Sequence, residues 1–90
     1  MKYSYVIPCY NSALTIETVV DQINLKMKEM NETSYEIILV NDYSKDNTKE
    51  VIFNLANKHK NVIAITMSKN FGQHAALLAG YNNVSGEYVI

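Results

Sequence analysis

Apolar residues in this chain gather in short runs separated by longer amphipathic stretches. Tyr3 to Pro8, Tyr35 to Val40 and Val62 to Met67 are apolar on both faces, and Tyr88 to Ile90 begins a fourth such run. Runs of that kind predict strands of a parallel sheet covered by helices on each side, because a strand with one wet face would alternate apolar and polar residues. Between the first two runs, Ile16, Val19, Val20, Ile23, Met27 and Met30 recur at helical spacing, with Glu17, Asp21, Lys26, Lys28 and Glu29 on the other face. The spacing predicts a helix from about Ser12 to Met30, capped by Asn11 or Ser12 and stopped at Asn31. Val51, Ile52, Leu55 and Ala56 form the stripe of a second helix, which starts after a candidate cap at Asp46 and ends near Lys60. Gly72 to Val84, with Ala75 to Ala79 apolar nearly all round, predicts a third, well-buried helix. The order βαβαβαβ implies right-handed crossovers and an α/β fold: an open, mainly parallel sheet with alternating helices.

Composition narrows the function. The chain has 90 residues, Lys+Arg 8 and Asp+Glu 9, for a formal net charge of -1, and every cation is lysine. That balance lacks the one-sided basic field of a nucleic-acid binder, so no nucleic-acid partner is expected. The single cysteine, Cys9, has neither a disulfide partner nor Cys/His ligands at metal spacing, which fits a reducing, cytoplasmic setting. No stretch reaches the roughly 18 consecutive apolar residues of a membrane span. The last run, Tyr88-Val89-Ile90, ends while still apolar and without a closing turn signal. Residues 1–90 are therefore expected to form one domain that is incomplete at its C-terminus.

In an open parallel sheet, ligands bind outside the carboxyl ends of the strands. Three polar stretches lie there: Pro8-Cys9-Tyr10-Asn11, Asn41 to Asp46, and Ser68 to His74. Asp42, directly after an apolar strand, is placed to accept hydrogen bonds from a base imide or a ribose hydroxyl, and equally to serve as a turn residue. Tyr10 offers an aromatic face for stacking on a base, or is an ordinary exposed loop tyrosine beside a strand-ending Pro8. Asn11 and Asp46 read first as helix caps, and Cys9 as a small buried hydrophobe with nothing adjacent to lower its thiol pKa. Lys69 could meet a diphosphate or simply be solvated. Gly72 permits close backbone approach to a phosphate, and His74, without a second ligand or nucleophile nearby, reads as packed or capping. Neither GxGxxG nor GxxxxGK[ST] occurs, which argues against a dehydrogenase or a P-loop NTPase.

Taken together, Val6-Ile7-Pro8-Cys9-Tyr10-Asn11, then Ile38 to Thr48, then Ser68 to Gly80, resemble the start of a family 2 glycosyltransferase of the GT-A fold, whose N-terminal half is Rossmann-like. The Asn70-Phe71-Gly72-Gln73-His74 stretch is similar to the branch that loads sugars onto polyprenyl phosphates in cell-envelope polysaccharide biosynthesis. The resemblance implies inverting transfer of a sugar from a nucleoside-diphosphate sugar to a lipid-phosphate or saccharide acceptor. It implies that Pro8, Tyr10 and Asn11 frame the nucleoside, that Asp42 contacts the base, and that Lys69 lies near the nucleotide.

The sequence departs from the family pattern at Ser12, where an acidic residue is common, and at Tyr43, where glycine is common. The resemblance also implies Mn²⁺ or Mg²⁺ held by a DxD motif that would follow the fourth strand, beyond residue 90, together with the catalytic base and the acceptor site. No residue of this chain is therefore expected to be catalytic or a metal ligand, and the chain alone should be inactive. Membrane association, at the inner face, would come only from regions outside this chain, and the strand edge near Ile90 leaves a homodimer open. The competing reading is a non-catalytic nucleotide- or partner-binding module of the same fold.

Overall fold

A computed structural model describes residues 3–42, 45–67, Gly80, and the backbone of 88 and 89. In chain order these form β1 (Tyr3–Cys9), α1 (Ile16–Glu29), β2 (Tyr35–Asn41), α2 (Thr48–Lys58), β3 (Val62–Thr66) and β4 (Tyr88–Val89). The strands make one sheet in the order β3-β2-β1-β4, and every pairing is parallel. The predicted α/β architecture is thus observed. The predicted helix over 72–84 lies outside the described residues except at Gly80, which is helical.

The doubly apolar runs are explained by what covers them. From Glu36 onward every residue of β2 is buried, and its odd and even positions feed different cores. Ile37 and Leu39 pack with Cys9, Val62, Ile16 and Val20 of α1, and Ile52 and Leu55 of α2. Ile38 and Val40 turn to the other face with Val6, where Ile65 and Met67 flank them. Gly80 packs on that second face: a methyl added there would overlap Cγ1 of Val6 and come within 3.3 Å of Cγ2 of Val40. Each fully buried aliphatic side chain contributes about 1.5–3 kcal/mol, so the two cores fix the strand register as well as the fold.

Several boundaries differ from expectation for local reasons. The first helix begins at Ile16, not Ser12: the Ser12 carbonyl accepts the N–H groups of Thr15 (3.1 Å) and Ile16 (3.0 Å), a turn that delays the helix. Neither Asn11 nor Ser12 is its N-cap; that position is Thr15. Met30 is exposed at the C-cap and drops out of the buried stripe. Asn31 does stop the helix, with a left-handed φ of 55°. The Glu32 N–H donates to Met27 O (2.8 Å) and the Asn31 N–H to Lys28 O (3.0 Å), the paired bonds of a Schellman ending.

Pro8 does not end its strand, because pairing continues to Cys9↔Asn41. The Cys9 carbonyl faces β2, where it accepts the Asp42 N–H. Alternation therefore turns the Pro8 nitrogen to the opposite side, beyond the β4 pairing, which reaches only Tyr3 and Ser4. There a missing donor breaks no described ladder bond.

Candidate functional site

The strand order places the switch point beside β1. The chain steps outward from β1 to β2 to β3 and then returns beyond β1 to β4, so the crevice opens at the carboxyl end of β1. Tyr10 follows that strand directly and is 46% exposed. Asp42 follows β2. Its N–H donates to Cys9 O at 3.0 Å, so its backbone lies against the peptide that joins Cys9 to Tyr10. The carboxylate-bearing residue is buried, at 4% exposed, while the neighbouring aromatic residue is open.

Asn11 does not cap a helix. It takes a left-handed φ of 50°, and its Oδ1 accepts the Lys45 N–H at 3.1 Å, tying the loop after β1 to the loop after β2. Asparagine tolerates this conformation better than most residues. Asp46 lies one residue before the N-cap of α2, Asn47, yet it still serves the helix start: its Oδ1 accepts the Thr48 N–H (3.0 Å) and the Thr48 hydroxyl. Its Oδ2 accepts the Ala13 N–H at 3.4 Å. The Thr48 hydroxyl, foremost among these donors, holds the Asp46 carboxyl below its ordinary range.

The loop after β3 is anchored where it begins. Asn41 is buried; its Nδ2 donates to the Thr66 hydroxyl (3.0 Å), and its carbonyl accepts the Met67 N–H (2.9 Å). Lys69, Gly72 and His74 lie outside the described residues. Cys9 is fully buried, and burial pushes its thiol up to about 12, which leaves it an inert packing group in the core with Ile37 and Leu39. Sequence reasoning missed Thr48 and Asn41, both buried polar residues that join neighbouring loops. Their signal was a polar residue at a strand end or helix start, which is too common to single out.

A separate groove of about 670 Å³ lies at the opposite end of the strands, lined in part by Lys28, Tyr35, Lys58, His59 and Lys60. Lys28 and Lys58 belong to the last turns of α1 and α2, where cations offset the exposed carbonyls of the helix ends. That role accounts for their convergence.

Residues 4–90 match the family described as Glycosyl transferase family 2. The chain belongs to that family.

Among curated proteins, this family 2 chain is 41% identical over 90 residues to an undecaprenyl-phosphate 4-deoxy-4-formamido-L-arabinose transferase of Yersinia pestis (strain Pestoides F), covering 99% of this chain and 27% of the relative. The protein of the same name from Yersinia pseudotuberculosis serotype O:3 matches equally, at 41% identity. The chain thus spans about a quarter of the length of these relatives. Among solved structures, S. aureus TarS 1-349 in complex with UDP superposes with a TM-score of 0.82 at 26% identity, covering 100% of this chain and 26% of that one. The mannosyltransferase PcManGT of Pyrobaculum calidifontis, in complex with GDP-Man and Mn2+, shares the fold at a TM-score of 0.82 and 24% identity, covering 98% and 26% of the two chains. These likenesses agree with the expected GT-A glycosyltransferase fold.

Among the described residues, no three His, Cys, Asp or Glu side chains converge as metal ligands. No described helix is long and apolar enough to cross a membrane.

Proposed function

We propose that this chain supplies the donor-nucleotide site of an inverting glycosyltransferase that moves a sugar from a nucleoside-diphosphate sugar to a lipid-phosphate or saccharide acceptor. The observation that carries the reading is the juxtaposition of Tyr10 and Asp42 at the switch point. In this reading Tyr10 stacks on the base and Asp42 accepts a hydrogen bond from the nucleoside. Pro8 and Asn11 frame it, Lys69 adds a positive charge near the nucleotide, and residues 1–90 are the nucleotide-binding part of a larger domain. Kinship with undecaprenyl-phosphate sugar transferases supports a polyprenyl phosphate as the acceptor and a place at the inner face of the membrane.

Transfer breaks the bond from the anomeric carbon to the diphosphate oxygen and forms one to the acceptor oxygen on the opposite face. The departing diphosphate carries negative charge that needs neutralising, a task a divalent ion performs in many active sites. The described residues do not fit such an ion, since no ligand set converges and the Asp46 carboxylate already accepts Ala13 and Thr48 donors.

The test is UDP and GDP titration, by calorimetry, of the protein carrying this chain at its natural length. Asp42→Ala should weaken binding of the preferred nucleotide by tenfold or more, since a hydrogen bond to a charged group contributes about 1.5–3 kcal/mol. Unchanged affinity in a folded Asp42→Ala protein overturns the assignment.

A further inference from the structure

The loop that carries Tyr10 has little regular structure of its own, yet polar groups of the loop after β2 and of the first residue of α2 bond to it. The Ser12 N–H donates to the Thr48 hydroxyl oxygen at 2.9 Å, and the Ala13 N–H to Asp46 Oδ2 at 3.4 Å. In the other direction, the Lys45 N–H donates to Asn11 Oδ1 at 3.1 Å. Within the first loop, the Ser12 hydroxyl donates to the Tyr10 carbonyl at 3.0 Å.

Thr48 is the centre of this set. It is 0% exposed, opens α2, and directs its hydroxyl proton to the Asp46 carboxylate. A hydroxyl whose proton is committed presents a lone pair in a fixed direction. Here the Ser12 N–H takes that lone pair. The carboxylate thus orients the hydroxyl, and the hydroxyl fixes the backbone two residues after Tyr10. The N–H groups of Ser12 and Ala13 precede the first helical residue of α1, Ile16, and this arrangement satisfies them from another element.

We infer that Asp46 and Thr48 form a latch that holds the Tyr10-Asn11-Ser12 loop in its ligand-ready shape, which makes both of them positioning residues for the donor nucleotide although neither need touch it. The inference rests on the donor-site reading of Tyr10 and Asp42. The latch bears on the left-handed backbone of Asn11: Thr48 holds Ser12 on one side of it, and the Ser12 hydroxyl in turn bonds the Tyr10 carbonyl on the other. It also explains why a fully buried threonine stands at a helix start where an exposed cap would have sufficed for the helix alone.

Thr48→Val keeps the shape and removes the hydroxyl; Thr48→Ser keeps the hydroxyl and removes the methyl. In the protein at its natural length, Thr48→Val should weaken binding of the preferred nucleotide, UDP or GDP, about tenfold, the value of one hydrogen bond that must be remade on binding. Thr48→Ser should stay within about twofold of the parent by the same reasoning, because the bond survives. Hydrogen exchange gives a readout independent of nucleotide. The Ser12 amide should lose protection in Thr48→Val and in Asp46→Ala, while the Val20 and Leu39 amides keep theirs.

Ser12 protection unchanged in Thr48→Val overturns the latch. So does lost Ser12 protection with parental affinity, which would make the contact structural only. If Thr48→Val and Thr48→Ser weaken binding equally, methyl packing rather than the hydroxyl is responsible, and the inference falls. Asp42→Ala separates the two levels: affinity unchanged there removes the donor site itself, whereas affinity lost there but kept in Thr48→Val removes only the latch. A parent protein that binds neither UDP nor GDP overturns both.

Discussion

Replacing Gly80 by alanine perturbs the packing next to the loops that follow β1 and β2. Val6 and Val40, the side chains Gly80 rests on, stand two residues before Pro8 and Asp42. An added methyl would overlap Cγ1 of Val6 and crowd Cγ2 of Val40 at 3.3 Å. Neither valine can retreat, since β1 lies between β2 and β4, and Val40 is 0% exposed within a buried strand. Two effects then compete. Alanine is better than glycine in a helix by about 1 kcal/mol. Overpacking a filled core costs about 1–3 kcal/mol, and two simultaneous close contacts put this case at about 2–3 kcal/mol. The steric cost wins, for a net loss of about 1–2 kcal/mol in urea unfolding.

The decisive control is Val6→Ala. It deletes two methyl groups at about 0.8 kcal/mol each and leaves a small cavity, for a cost of about 2 kcal/mol. In that background the new methyl at position 80 fills vacated space. Gly80→Ala should then stabilise by up to about 1 kcal/mol, a reversal of sign and a coupling of about 2–3 kcal/mol. A Gly80→Ala protein at least as stable as the parent with Val6 intact would refute the packing reasoning, as would a double variant in which the two losses simply add.

At Asn31, whose φ is 55°, substitution by glycine should leave the urea midpoint equal or slightly higher, whereas alanine should lower stability by about 1 kcal/mol and valine by more. Cys9 should react with a thiol reagent at neutral pH only when the native structure opens, and rapid labelling of the folded protein would contradict its burial. Its thiol is raised from 9.0 to about 12 in the folded state, so its contribution is fully present below pH 9 and is lost as pH rises toward 12. Cys9→Ala should flatten that alkaline decline in denaturation curves. The Asp46 carboxyl, lowered by its Thr48 partner, has the opposite sign: its contribution is present above 3.8 and is lost as pH falls through the lower folded value. Ser12 amide protection should therefore fall at acid pH in the parent, and a profile identical to that of Asp46→Ala across the range would contradict this.

Much of the fold was legible because burial on two faces leaves a direct trace in the residues. Ile37 to Val40 has no polar side chain, as a strand buried on both faces requires. Stripe spacing likewise located α1 and α2, but their starts were misplaced. Asn11, Ser12 and Asp46 look like caps by residue type, whereas each also bonds a partner more than thirty residues away. Local propensity carries no record of a partner that distant. Pro8 misled in the same way: whether a proline ends a strand depends on which side its nitrogen faces and whether a neighbour is paired there.

By itself, then, the sequence determined the strand and helix alternation, the burial of Cys9, the stop at Asn31, and three ordered motifs that resemble one family. The first three rest on residue type and periodicity within short stretches, and the last on resemblance to a family. The tertiary structure alone decided that Asp42 abuts the peptide before Tyr10, that Thr48 and Asp46 hold the loop of Asn11 and Ser12, and that Gly80 lies on Val6 and Val40. Those contacts join residues far apart in the chain, and they exist only once parallel pairing has set the register of β1 against β2.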